Sequence, residues 1–132
     1  MISLKLGLVK ELDNFHQDYI QACKDMNVNY EIIDISTHDW VERIKNFDGD
    51  GFLVRPSSNK AEWKKMYDEK LFFINQNLGF PIYPSYTELF LYENKRTMSY
   101  WLEIEGIPTA TTYIFYNKEE ALTFIENYKD YP

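Results

Sequence analysis

The sequence predicts an α/β domain: a small, mainly parallel sheet flanked by helices, Rossmann-like in arrangement, followed by an incomplete strand–helix unit. Three observations carry that expectation. Short apolar β-type runs alternate with stretches whose apolar residues recur at helical spacing. The connections are short, as in strands joined by crossover helices packed on both faces of a sheet with right-handed connections. The 132 residues, 45% hydrophobic and 17% aromatic, suffice for one domain with a core.

Residues 2–9 read as the first strand, followed by a turn at 10–13. From Asp13, the expected N-cap, apolar residues at Phe15, Tyr19, Ala22 and Met26 mark a helix that residues 27–29 end. Residues 30–35 form a second β-type run, and Ser36-Thr37 lead into a helical stripe of Trp40, Val41, Ile44 and Phe47. A turn cluster at 48–51 precedes a third strand, Phe52-Leu53-Val54, which Arg55-Pro56 stops. Trp63, Tyr67, Leu71, Ile74 and Leu78 then trace a long helix that Gly79 closes, and Ile82-Tyr83 is a minimal fourth strand.

Residues 86–105 are helical in character, with Met98, Trp101 and Leu102 on one face, until Gly106-Ile107-Pro108 stops them. Residues 111–116 are β-branched and aromatic, which predicts a strand. Asn117 then opens a helix, with Glu120 placed for a capping box and Ala121, Phe124, Ile125 and Tyr128 as its apolar stripe. The expected division is a sheet domain with a trailing helix at 1–106 and the start of a second domain at 107–132.

Fourteen basic against 21 acidic side chains give a net charge of −7, which repels phosphate backbones and anionic lipid. Nucleic acid and membrane are therefore not expected partners. No apolar run approaches the roughly 20 residues of a bilayer span, and the start lacks a basic segment followed by an apolar one. With a single cysteine, Cys23, this leads to the expectation of a cytoplasmic protein.

Cys23 and His16 share a predicted helix but stand about 10 Å apart along its axis, too far for a nucleophile and its base. Cys23 is expected in the core or at its boundary, and His16 and His38 at the surface. No second histidine or cysteine lies at ligand spacing, so no metal site is predicted, and no catalytic residue is assigned in this chain. Gly49 and Gly51 precede a strand, whereas a dinucleotide fingerprint follows one, and no Walker motif occurs. A phosphoryl-accepting receiver would need an aspartate where the third strand ends in Arg55.

Two constellations remain. Arg55, Ser57 and Ser58 put a guanidinium and two hydroxyls at a strand's carboxyl end, where such sheets bind anionic substrates; the alternative is a surface turn with a capping serine. Glu93-Asn94-Lys95-Arg96 reads on chemistry alone as a solvated helix start.

The second half adds a resemblance. Tyr92-Glu93-Asn94-Lys95-Arg96-Thr97-Met98, then Trp101-Leu102, Gly106-Ile107-Pro108-Thr109-Ala110-Thr111, Glu119-Glu120-Ala121-Leu122 and Asp130-Tyr131-Pro132 resemble, in order and spacing, the entry into an ATP-grasp fold. Arg55-Pro56-Ser57 after Asp50-Gly51 looks like the third-strand end of that family's pre-ATP-grasp domain. The specific likeness covers residues 50–132; the first 50 residues match in architecture alone.

The resemblance implies a ligase in which ATP phosphorylates a small carboxylate and an amine or similar nucleophile attacks the acyl phosphate. It implies that Lys95 approaches the nucleotide and that ATP and magnesium serve the full-length enzyme. The sequence stops before the family's strand lysine, glycine-rich loop and metal-binding acidic and Asn residues. The chain is thus expected to be inactive alone and to bind neither tightly, with its terminal strand–helix unit either pairing in a homodimer or weakly protected. The alternative is a stand-alone flavodoxin-like binding or regulatory module.

Overall fold

A computed structural model describes residues 3–130, so Ile2 of the expected first strand and the terminal Tyr131-Pro132 lie outside the described residues. The chain divides into two compact units, Met1–Glu93 and Asn94–Pro132, upstream of the boundary expected at 106–107.

The first unit is a four-stranded, all-parallel sheet in the order β2-β1-β3-β4, flanked by helices. Its elements are β1 (Lys5–Val9), α1 (His16–Asp25), β2 (Asn29–Ile33), α2 (Trp40–Asn46), β3 (Gly51–Leu53), α3 (Ala61–Phe72), β4 (Ile82–Tyr83) and α4 (Tyr86–Leu91). Alternation along the strands sends neighbours to opposite faces. Leu8 packs with Ile20 and Cys23 of α1, while Val9, Ile33, Phe52 and Val54 pack with Ile44 of α2 and Tyr67 and Leu71 of α3. Phe52 lies so close over Gly7 that a Cβ there would stand 2.3 Å from its ring. Cys23 is buried in the core, as expected.

Two boundaries differ from the sequence reading. The first helix starts at His16, with Phe15 rather than Asp13 at its N-cap, because Asn14 turns the chain through a left-handed conformation (φ 63°). The expected long helix is α-helical to Phe72 and then widens into a π-helical turn, Phe73–Asn77, that keeps Ile74 buried before Gly79 (φ 74°) ends it. Ser85 and Glu88 form the capping box that starts α4.

The expected helix over 86–105 is interrupted, since Glu93 adopts a positive φ of 54° and Asn94 caps a new helix, α5 (Lys95–Ile104). In the second unit, α5 is followed by an irregular segment and α6 (Lys118–Asn127), whose N-cap Asn117 accepts the Glu120 N–H at 3.1 Å. Residues 111–116 enter no ladder among the described residues, a correction to the expected strand. β-Branched and aromatic side chains favour a strand by fitting a pleated surface beside a partner, and this unit supplies no partner. The Tyr113 and Phe115 rings instead pack on Phe124 of α6, at 4.5 and 5.2 Å.

Candidate functional site

The strand order reverses direction between β1 and β3, so the crevice at their carboxyl ends is bounded by residues 10–15 and 54–60, the position where open parallel sheets bind ligands. Glu11 sits there, 1% exposed, with neither carboxyl oxygen hydrogen-bonded. Burial lifts its pKa from the ordinary 4.5 to about 7; the nearby N–H groups of Arg55 and His16 and the Arg55 charge oppose the rise, and Asp13 adds to it. Those amides lie close enough to favour the anion without hydrogen-bonding it. Asp13 Oδ2 is likewise buried without a partner, while its Oδ1 accepts from Asn59 Nδ2 at 2.9 Å.

His16 is buried, not at the surface as expected. Because α1 begins at this residue, its ring folds back over the β1–α1 loop, where Nδ1 accepts the Glu11 N–H at 3.2 Å. Burial and then the Lys10 charge hold its pKa below the usual range, with Asp34 opposing. His38 is exposed, as expected.

Of the residues read as a substrate site, Ser57 is fully buried and its Oγ accepts the Leu12 and Asp13 N–H groups at 2.8 and 3.2 Å. As placed, it fastens the β1–α1 loop. Ser58 is half-buried beside it. Arg55 is the open member of the group: its guanidinium stacks on Phe15 at 4.0 Å, and its ion pair with the exposed Asp18 is long, at 3.7 Å. An exposed pair of that length contributes little, so the guanidinium keeps donors for a ligand.

Arg55 opens onto a cleft of about 410 Å³, formed by α1, the segments following β3 and β4, and α4. Val54, Pro56, Pro84 and Leu89 make its apolar wall, Tyr19 and Tyr92 line it with aromatic rings, and Glu88 stands among them. That volume falls in the usual range for small-molecule sites. A fixed guanidinium in such a cleft can hold a carboxylate through two parallel N–H donors.

Lys95 belongs to the second unit, exposed in the first turn of α5. That unit has its own cavity of about 630 Å³ between α5, residues 106–115 and Phe124, with Glu103 and two tyrosines as its titratable lining. Among the described residues, no three His, Cys, Asp or Glu side chains are grouped to hold a metal ion, and no helix is long and apolar enough to cross a membrane.

Sequence reasoning missed Glu11 and the two cleft tyrosines. An acidic residue two positions after an apolar first strand, at the edge where these sheets take ligands, was the available signal for Glu11; residues 10–13 read instead as a plain turn. Tyr19 is expected in an apolar stripe with Phe15, Ala22 and Met26, but the helix buries His16, Ile20 and Cys23 instead, and Tyr19 is half-buried with its hydroxyl donating to the Val54 carbonyl at 3.4 Å. No family model, no curated protein and no solved structure matches the chain.

Proposed function

We propose that this chain is the carboxylate-recognising part of an ATP-dependent ligase of the ATP-grasp kind, which activates a carboxylate as an acyl phosphate for attack by an amine or similar nucleophile. The observation that carries this reading is Arg55, a weakly paired guanidinium at the carboxyl end of β3, opening onto a cleft of small-molecule size. Arg55 binds and orients the carboxylate, and the apolar wall excludes water from it. Lys95 is the residue assigned to the nucleotide, on the ordered likeness of residues 92–132 to the ATP-grasp entry. The carboxylate groups a magnesium ion would need are not assembled among the described residues, so no step through the metal is assigned to this chain. The reading implies a cytoplasmic protein, where ATP is made and used.

A second reading, a flavodoxin-like binding module without catalysis, is favoured by the strand order β2-β1-β3-β4, which such folds share. The coding sequence beyond Pro132 discriminates. A strand lysine, a glycine-rich loop and an acid-plus-Asn metal motif support the ligase, and a stop codon there overturns it in favour of the module. Titration of the chain itself tests the carboxylate assignment. Small carboxylates should perturb the amides of residues 54–58 in the wild type and not in Arg55→Ala, and carboxylates that bind both equally would remove Arg55 from the site. Calorimetry should find no low-micromolar binding of ATP with magnesium to the chain alone.

A further inference from the structure

We infer that the cleft beside Arg55 selects a monocarboxylate with an apolar or aromatic body over a dicarboxylate; the inference rests on the reading of Arg55 as the carboxylate anchor. The cleft holds one guanidinium and one carboxylate among its lining residues, Arg55 and Glu88, and the rest of its wall is apolar or aromatic. Glu88 is fixed in place. Its Oε2 accepts the Ser85 N–H at 2.7 Å and the Ser85 hydroxyl at 2.8 Å, and the hydroxyl first, then the amide, keeps its pKa below the usual range. A ligand that lays one carboxylate on Arg55 therefore meets a standing negative charge if it carries a second. Asp18, paired with the guanidinium at 3.7 Å, adds to that repulsion.

The apolar side of the selection comes from Val54, Pro56, Pro84 and Leu89, which line the cleft. The Tyr19 hydroxyl is turned to the Val54 carbonyl, so the cleft receives its ring carbons. A hydrocarbon or ring entering this space is removed from water against carbon atoms, whereas a polar body would lose hydration there with few partners to replace it. The four sides come from α1, the β3 end, the β4 end and α4, all within the first compact unit. The cleft is thus lined by residues from within 19–92.

The experiment is a two-dimensional NMR titration of the whole chain with 3-phenylpropionate, its neutral amide and glutarate, each repeated on Arg55→Ala and Glu88→Gln. The inference expects 3-phenylpropionate to shift the amides of residues 54–58 and 88–92, the neutral amide and glutarate to bind about tenfold more weakly or worse, and Arg55→Ala to weaken phenylpropionate by about tenfold. Glu88→Gln should narrow the gap between glutarate and phenylpropionate. Glutarate binding as tightly as phenylpropionate, with both lost in Arg55→Ala, would overturn the selectivity while leaving Arg55 as the carboxylate anchor. Equal binding of phenylpropionate and its amide, unchanged by Arg55→Ala, would overturn both, as would the absence of shifts at these residues with every compound at its solubility limit.

Discussion

Replacing Glu11 with glutamine should flatten the stability of the first unit between mildly acidic and neutral pH. A carboxyl buried to 1% exposure with no hydrogen bond on either oxygen retains its proton in the folded state to about pH 7, while in the unfolded chain it loses it near the ordinary 4.5. The native state therefore binds more protons across that window. The contribution is full below the unfolded pKa, falls as pH rises, and is gone above the folded pKa. At about 1.4 kcal/mol for each pH unit, the interval is worth roughly 3 kcal/mol at most. Groups whose pKa is held down, among them Asp34, where the Ser36 hydroxyl and amide and Lys10 outweigh burial, act at lower pH with opposite sign and cancel in the comparison with the variant.

Urea unfolding followed by tryptophan emission measures it, in a Trp101→Phe background so that the signal comes from Trp40 and Trp63 of the first unit. From pH 4.5 to 8 the parent should lose about 2 to 3 kcal/mol more than Glu11→Gln. Parallel stability curves across that range would refute the argument, as would a Glu11 carboxyl carbon that titrates near 4.5 by NMR.

Ser57→Ala leaves the partly buried Leu12 and Asp13 amides without their acceptor and should cost about 1 to 2 kcal/mol in urea unfolding, with Ser57→Thr recovering part of it. Gly7→Ala puts a Cβ 2.3 Å from the Phe52 ring; the ring must move, and a loss of roughly 1 to 3 kcal/mol with altered Phe52 ring resonances is expected. Neither α5 nor α6 has a buried residue, and Ile104, Tyr116 and Ile125 are more than half exposed, so amides of residues 94–130 should exchange faster than those of β1 and β3 in a monomer. If light scattering shows a dimer instead, protection should appear in this unit and vanish on dilution; a monomer with equal protection throughout would contradict both outcomes.

The sheet was legible because its strands are short apolar runs and its helices carry stripes at 3.6-residue spacing, so Leu8, Val9, Ile44, Phe52, Tyr67 and Leu71 could be assigned to a core without coordinates. What was not legible depends on contacts distant in sequence. Residues 111–116 have strand chemistry and no partner to realise it. His16 lies on a helix that starts later than its neighbouring aspartate suggests, because Asn14 takes a left-handed turn, and that shift carries the ring inward. Arg55 was readable as a strand-end cation, whereas Ser57 differs from Ser58 through two amides at Leu12 and Asp13, far back in the sequence. The cleft walls come from four separate elements, and no spacing rule links Tyr19 to Pro84 or Leu89.

The β1–α1 loop and the segment after β3 are joined by more than the Ser57 hydroxyl. Asn59 donates to Asp13, and the Tyr67 hydroxyl of α3 donates to the Lys10 carbonyl at 2.9 Å, with burial raising the Tyr67 pKa to about 12 so that it remains a donor across the working pH range. Three side chains that follow β3 thus grip successive parts of one loop. A ligand that draws Arg55 toward itself must either stretch these hydrogen bonds or move the loop as one piece, with Glu11 and His16 aboard. Were occupancy of the cleft to move that loop, the protonation of Glu11 would respond, and by reciprocity each would alter the other's equilibrium to the same degree.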